Sequence, residues 1–148
     1  MVLLTFKGGI HPDDGKRFSK DQPIRPVVPQ GELVYPLSQH IGAPAKPVVK
    51  KGDCVLKGQL IAEAGGFVSS PIYSSVSGKV KGLEQRFNPT GSQVECIVVE
   101  NDGEYKEVEY EPVKPLEEMT REEIINKIGD AGIVGMVGAG FPTKVKLS

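Results

Sequence analysis

The 148-residue sequence predicts a mainly β protein, and two patterns carry that prediction. From residue 33 to about residue 99, short apolar runs alternate with glycine-centred turns, which is typical of short paired strands. Apolar residues with helical spacing occur in one stretch, at residues 120–129. The hydrophobic fraction of 39% and the charged fraction of 25% are those of a chain that buries a core.

Residues 1–32 are predicted to form an extended N-terminal arm. A short apolar run at residues 2–6 is followed by a polar stretch that contains several prolines. Proline fixes φ and has no N–H to donate, so it interrupts helices and the interior of sheets. The prolines of this stretch are Pro12, Pro23, Pro26 and Pro29. We therefore expect no long regular element before residue 33.

Residues 101–119 are predicted to form an acidic linker. Charged and apolar side chains alternate here, which favours a solvated edge strand that the two prolines then end. Residues 100–123 hold ten acidic and three basic side chains. Such a run suits docking to a basic partner, although a solvated surface is the simpler interpretation.

The predicted helix begins after Thr120. Thr120 and Glu123 have the spacing of a capping box, in which each side chain binds the other residue's backbone N–H. Three isoleucines then fall on one face of the helix. They are Ile124, Ile125 and Ile128. The glycines that follow predict an end near residues 129–132.

Composition disfavours several classes of function. A net charge of −1 without a basic stripe, and an aromatic fraction of 6%, give no support to nucleic-acid binding. The longest uncharged apolar run has 11 residues, at 131–141, whereas a membrane-spanning helix needs about 20. Cys54 and Cys96 are too few for a four-thiolate site. We expect no metal site and no iron–sulfur cluster in these residues.

The polar side chains show no catalytic pattern. Five serines lie close together in sequence without a G-x-S-x-G motif around any of them, so we expect hydroxyls on strand surfaces and no catalytic residue. They are Ser69, Ser70, Ser74, Ser75 and Ser77. The two histidines, His11 and His40, lack the further ligands that a metal site needs. We expect His40 to be a structural side chain packed beside Gln39.

Residues 50–84 resemble the hammerhead pattern of biotinyl and lipoyl carrier domains. The matching residues are Gly52, Asp53, Val55, Gly58, Gln59, Ile61, Gly78 and Val80. This resemblance implies a barrel-sandwich hybrid fold. Carriers of this type display a modifiable lysine, and here Gly66 or Phe67 holds its place. The resemblance therefore implies the scaffold without the swinging arm, and a non-catalytic binding module stays open as an alternative.

Four longer stretches resemble the N-terminal part of RnfC in collinear order. RnfC is the peripheral subunit of the Rnf complex, a membrane-bound ferredoxin:NAD oxidoreductase that couples electron transfer to ion pumping. The stretches are FKGGIHP, PLSQHIGAPAKPVVKKGD, GQLIAEAGGFVSSPIYSSVSGKV and AGIVGMVGAGFPTKVKL. The resemblance implies a barrel-sandwich domain at 33–100, a linker at 101–119 and, at 120–148, the truncated start of a flavoprotein domain like that of respiratory complex I.

The resemblance also implies partners, cofactors and a location. In the full-length protein it implies FMN, NADH and 4Fe-4S clusters, with other Rnf subunits, ferredoxin and NAD(H) as partners, at the cytoplasmic face of the cell membrane. For these 148 residues alone it implies no bound cofactor, no activity and a structural or assembly role.

A glycine-rich stretch at residues 135–146 is the candidate cofactor site. The complex I flavoprotein pattern is G-x-G-G-A-G-F-P-T-x-x-K, and glycines let backbone N–H groups approach a phosphate or a flavin edge closely. The resemblance assigns FMN-loop positions to Gly135, Gly138, Ala139, Gly140 and Lys146. Val137 stands where the pattern has glycine. A glycine-rich turn that binds no ligand stays open as the alternative.

Overall fold

The structure, a computed structural model, describes residues 12–88 and 90–148. The first eleven residues of the predicted arm, with His11, lie outside these ranges. The described part of the arm has one 3₁₀ turn, Lys16–Phe18, and is otherwise without helix or strand up to Glu32, where the first strand begins. Its end is fixed to the sheet, because the Asn101 N–H donates to the Gly31 carbonyl at 3.0 Å.

Seven strands lie within the described residues and form two antiparallel sheets. They are β1 (Glu32–Pro36), β2 (Lys46–Pro47), β3 (Cys54–Val55), β4 (Leu60–Glu63), β5 (Ile72–Tyr73), β6 (Gly78–Phe87) and β7 (Gln93–Asn101). One sheet has the order β1-β7-β6-β3 and the other has the order β2-β4-β5. Within the described ranges, all strands fall at residues 32–101, so the prediction of a mainly β unit in this part of the chain is confirmed.

The hydrophobic core lies between the two sheets. In the register, Tyr35 pairs with Ile97 and Val80 pairs with Val99, so these four residues share the inner face of the larger sheet. The smaller sheet contributes Ile61, Ala62 and Ile72. Further core residues are Leu37, Ala45, Val55 and Val76. Both sheets thus depend on one shared core.

Four of the five serines are buried, which corrects the expectation of surface hydroxyls for all but the exposed Ser75. Ser69, Ser70, Ser74 and Ser77 are buried. The hydroxyls of Ser69, Ser74 and Ser77 are hydrogen-bonded within the fold, as is usual for buried polar groups. The Ser74 Oγ donates to the Val76 carbonyl at 2.7 Å, and the Ser77 Oγ donates to Asp102 Oδ1 at 2.7 Å. The hydrogen bond from Ser77 lowers the pKa of the Asp102 carboxyl.

Residues 102–119 do not form the predicted edge strand. One isolated parallel bridge joins Lys57 and Glu107, and a 3₁₀ turn spans Leu116–Glu118. Pro112 and Pro115 lack N–H donors and so cannot extend pairing beyond residue 111. Tyr105, whose φ is +52°, packs against the core and donates through its hydroxyl to the Pro29 carbonyl at 2.5 Å. The segment therefore also holds the end of the arm.

Two helices follow the linker. The predicted helix, α1 (Arg121–Asp130), begins with the expected capping box: Glu123 N–H donates to Thr120 Oγ1 at 3.2 Å, and Thr120 N–H donates to Glu123 Oε2 at 2.8 Å. A hydrogen bond from the Lys114 ammonium, with those from Thr120, lowers the pKa of Glu123 to about 2. A second helix, α2 (Thr143–Leu147), was not predicted.

Neither helix is a membrane span. Among residues 12–88 and 90–148, no helix has both the length and the apolar character needed to cross a bilayer.

Candidate functional site

The glycine-rich stretch forms a closed loop between α1 and α2. Residues Val134 and Pro142 form an antiparallel bridge at its base. Two backbone hydrogen bonds of 3.0 Å flank this bridge: Gly135 N–H donates to the Phe141 carbonyl, and Thr143 N–H donates to the Ile133 carbonyl. Residues 135–141, which we call the glycine loop, therefore project from a hydrogen-bonded base.

The structure brings four of the five predicted cofactor residues together. Gly135, Gly138, Ala139 and Gly140 all lie in the glycine loop, whereas Lys146 lies on α2. The Lys146 ammonium is 5.6 Å from the centroid of the Phe141 ring, within the range of a cation–π contact. This contact places one positive charge beside the base of the loop.

The tip of the loop is accessible, which is the property that a phosphate or flavin site requires. Gly138 has φ +79°, and a Cβ placed on it would meet no atom of the described residues within 4 Å. A ligand can therefore approach the backbone at this position without passing a side chain. The residues present fit the group that the resemblance implied, although the loop supplies one wall of a site.

Val137 does not obstruct the loop in this conformation. Its side chain is 95% exposed, and its φ lies outside the left-handed region. A β-branched residue at this position therefore carries no left-handed backbone strain. The departure from the glycine pattern adds an apolar side chain next to the tip, and Met136 beside it is also exposed.

A cleft of about 400 Å³ lies beside the loop, between the β4–β5 hairpin and the two helices. Leu60, Phe67, Ile133 and Val145 supply apolar walls, and Lys144 supplies a charge. Ile133 and Pro142, on either side of the glycine loop, line this cleft, but no residue of the loop itself does. The cleft and the loop tip are therefore two neighbouring features.

The β4–β5 connection carries the position that holds lysine in carrier domains. Phe67 in this connection is 80% exposed, while Gly65 is packed against the chain at Pro44. A Cβ on Gly65 would lie 1.9 Å from the Pro44 carbonyl oxygen, so Gly65 cannot be replaced by a larger residue without a shift. Gly66 and Phe67 offer no amine for acylation.

Of the histidine and cysteine side chains that the structure describes, His40 and Cys96 are buried and Cys54 is exposed. The His40 residue is buried; its Nε2 accepts from the Ser70 N–H at 3.1 Å and its Nδ1 donates to the Ile41 carbonyl at 2.9 Å. His40 is thus held within the fold by two hydrogen bonds, the surroundings expected of a structural side chain. Cys54 is exposed and Cys96 is buried, and burial raises the pKa of the Cys96 thiol. Within the described ranges, no group of three or more metal-ligating side chains comes together.

Comparison with known proteins identifies the family. Residues 4–104 match the family described as the RnfC barrel sandwich hybrid domain. The chain belongs to the RnfC family. This match also confirms the barrel-sandwich architecture that the hammerhead resemblance implied, and we call residues 32–101 the barrel from here on.

Longer relatives of the RnfC family cover nearly all of this chain. It is 45% identical over 148 residues to the C subunit of the proton-translocating ferredoxin:NAD(+) oxidoreductase complex of Clostridium ljungdahlii, and 44% identical over 145 residues to that of the Na(+)-translocating complex of Acetobacterium woodii. The C subunit of an ion-translocating oxidoreductase complex of Vibrio cholerae is 41% identical over 147 residues.

These relatives are much longer than the chain. The matches include 99%, 97% and 98% of this chain but 32%, 33% and 19% of the three relatives. The chain therefore spans about a third of the length of the first two relatives and about a fifth of the length of the other.

No sequence pattern predicts which residues join the glycine loop to the barrel. Tyr73 donates through its hydroxyl to the Asp130 carbonyl, Gly132 lies against Pro71, and Gly140 lies against residue His40. These partners are 57 or more positions apart in the chain. No local spacing rule relates them, and nothing in the sequence pairs Gly132 or Gly140 with the barrel.

Proposed function

We propose that this chain is the N-terminal segment of a subunit of an ion-translocating ferredoxin:NAD oxidoreductase, and that its glycine loop is the first wall of the subunit's FMN site. The observation that supports this most strongly is the match to RnfC-type subunits over 97–99% of the chain at 44–45% identity. In this proposal FMN, NADH and 4Fe-4S clusters belong to the complete protein, which lies at the cytoplasmic face of the membrane.

The chemistry of the proposed site divides between the cofactor and the protein. FMN, when bound, supplies the redox chemistry, because hydride and electron transfer are properties of the flavin ring. The protein supplies the position and orientation of the flavin. Gly138 leaves the backbone open to a phosphate, and Lys146 adds a positive charge next to the Phe141 ring. Backbone N–H groups and a lysine are the donors that phosphate sites typically use.

A charge placed at the loop tip tests the site. In the longer protein, Gly138→Asp is expected to lower the flavin retained through purification, because a carboxylate repels the flavin phosphate. Gly103→Asp is the matched control: Gly103 has φ +75° and, like Gly138, has no described atom within 4 Å of an added Cβ, but it lies in the linker. Equal flavin content in both variants would refute the assignment of the loop.

A second role for the barrel is assembly with the other subunits of the complex and, through them, with ferredoxin and NAD(H). Its support is that Gly66 and Phe67 stand in the β4–β5 connection where a carrier has its lysine, so the scaffold is kept without the carrier chemistry. We expect the purified 148-residue chain to bind membranes from cells that make the complex but lack its RnfC-type subunit. Membranes from cells without the complex are the control, and equal binding to both would contradict the assembly role.

A further inference from the structure

The glycine loop rests on one turn of the barrel. Gly140, near the end of the loop, has φ +63°, and a Cβ on it would lie 2.9 Å from the Gln39 carbonyl oxygen and 3.2 Å from the His40 Cα. Contacts this close leave no room for a side chain. The backbone of the loop is therefore packed directly on the backbone of residues 39–42, which we call the QHIG turn.

The QHIG turn is itself fixed to the body of the barrel. His40, 8% exposed, accepts from the Ser70 N–H through Nε2. Gly42 has φ +94°, and a Cβ on it would lie 2.1 Å from the Val68 carbonyl oxygen. The next residue, Ala43, donates its N–H to the same carbonyl at 2.9 Å. The turn is held at three points by residues 68–70.

Two further contacts hold the chain that leads into the loop. Gly132 has φ +69°, and a Cβ on it would lie 2.8 Å from the Pro71 carbonyl oxygen. Tyr73 binds the Asp130 carbonyl through its hydroxyl. Residues 68–73 therefore contact the QHIG turn on one side and the end of α1 on the other, and both lead to the glycine loop.

We propose that the QHIG turn is a positioning element for the glycine loop, with His40 as its positioning residue. The barrel then sets where the loop stands, in addition to any role in assembly. The functional meaning of this inference rests on the proposed FMN role of the loop, but the placement itself is measurable without flavin. A failure of the placement is therefore distinguishable from a failure of the FMN assignment.

Amide exchange in the 148-residue chain tests the placement. In His40→Ala, loss of the hydrogen bonds that hold the turn should accelerate exchange of the Gly135 and Thr143 amides, which close the base of the loop, about tenfold. His40→Gln should restore much of the protection, because its Oε1 can accept from the Ser70 N–H. Val99→Ala, in the core, is the control for general destabilisation and should leave these two local rates near those of the parent.

A matched pair of loop variants covers the case in which His40→Ala does not fold. Gly140→Ala and Gly138→Ala place the same methyl group at similar positive φ, +63° and +79°, but only at Gly140 does the methyl meet the QHIG turn. The proposal predicts shifted amide resonances for His40 and Ser70 in Gly140→Ala alone. Equal shifts in both variants, or unchanged Gly135 and Thr143 exchange in a folded His40→Ala, would overturn it.

Flavin retention then separates the two proposals. If loop exchange rises in His40→Ala and the longer protein also loses flavin while His40→Gln keeps it, both proposals hold. If exchange rises and flavin is unchanged, the turn positions the loop but the FMN assignment is wrong.

Discussion

Replacing Tyr73 by phenylalanine should loosen α1 from the barrel. The Tyr73 hydroxyl donates to the Asp130 carbonyl, the last residue of α1, and Tyr73 itself lies on β5. A typical intramolecular hydrogen bond contributes about 0.5–1.5 kcal/mol. Because Tyr73 is 36% exposed, water can rehydrate both groups, and we expect a loss of about 0.5–1 kcal/mol, at the lower part of that range.

Two measurements test this expected loss of stability in Tyr73→Phe. For a chain of this size the midpoint of thermal unfolding should fall by about 1–4 °C. Exchange of the Ala131 and Gly132 amides, which donate to the Lys127 and Gly129 carbonyls at the end of α1, should accelerate about two- to fivefold. Tyr110→Phe is the matched control, since the Tyr110 hydroxyl binds the exposed Glu107 carboxylate at 3.2 Å.

The pH dependence gives an independent check. Burial, followed by the nearby Asp130 carboxylate, raises the pKa of Tyr73 above its usual value of 10.0. A raised pKa means that the folded state holds its proton to higher pH than the unfolded state does. The associated stability is therefore complete below the usual pKa and is lost as pH rises through the raised value. If Tyr73→Phe keeps the alkaline profile of the parent and shows the same Ala131 and Gly132 exchange as Tyr110→Phe, the role of this contact is refuted.

Three further predictions concern other regions. Ile97→Ala should lower the free energy of unfolding by about 2–5 kcal/mol, measured by urea denaturation, while Leu83→Ala, which is half-exposed in the facing register position, should cost much less. Because the pKa of Glu123 is lowered to about 2, its contribution to the cap of α1 is complete above the usual carboxyl pKa and is lost as pH falls towards 2. Amide protection at Ile124 should fall over the same pH range. In Glu123→Gln this pH dependence should be absent. Intact mass after co-expression with biotinyl and lipoyl ligases should show no added group; any such mass would restore the carrier hypothesis.

The barrel was predictable because its signals are local. Apolar residues in short runs, separated by glycines, define strands one at a time, and every strand in the described ranges fell at residues 32–101. The cap of α1 was predictable for the same reason, since Thr120 and Glu123 are three residues apart. Where sequence neighbours decide the conformation, the pattern and the structure agree.

The errors occurred where distant residues decide the outcome. Burial of four serines is possible because distant partners bind them: the Ser69 Oγ, for example, donates to the Ala43 carbonyl at 2.8 Å. Helix α2 is five residues long, too short for a periodic pattern to show. The linker has the alternating pattern of a strand, but among the described residues it pairs with another segment only at the isolated bridge between Lys57 and Glu107.

Distant contacts also fix the connection that displays the lysine in carrier domains. A swinging arm needs a lysine at the tip of this connection, where Gly66 and Phe67 stand. Here the β4–β5 connection is held, because the Gly65 N–H donates to Ser69 Oγ at 2.8 Å and Gly65 packs on the Pro44 carbonyl. The far end of this connection, at Ser70, holds His40 and so the QHIG turn. The connection that stands where a carrier displays its lysine therefore contacts, through Ser70, the turn on which the glycine loop rests.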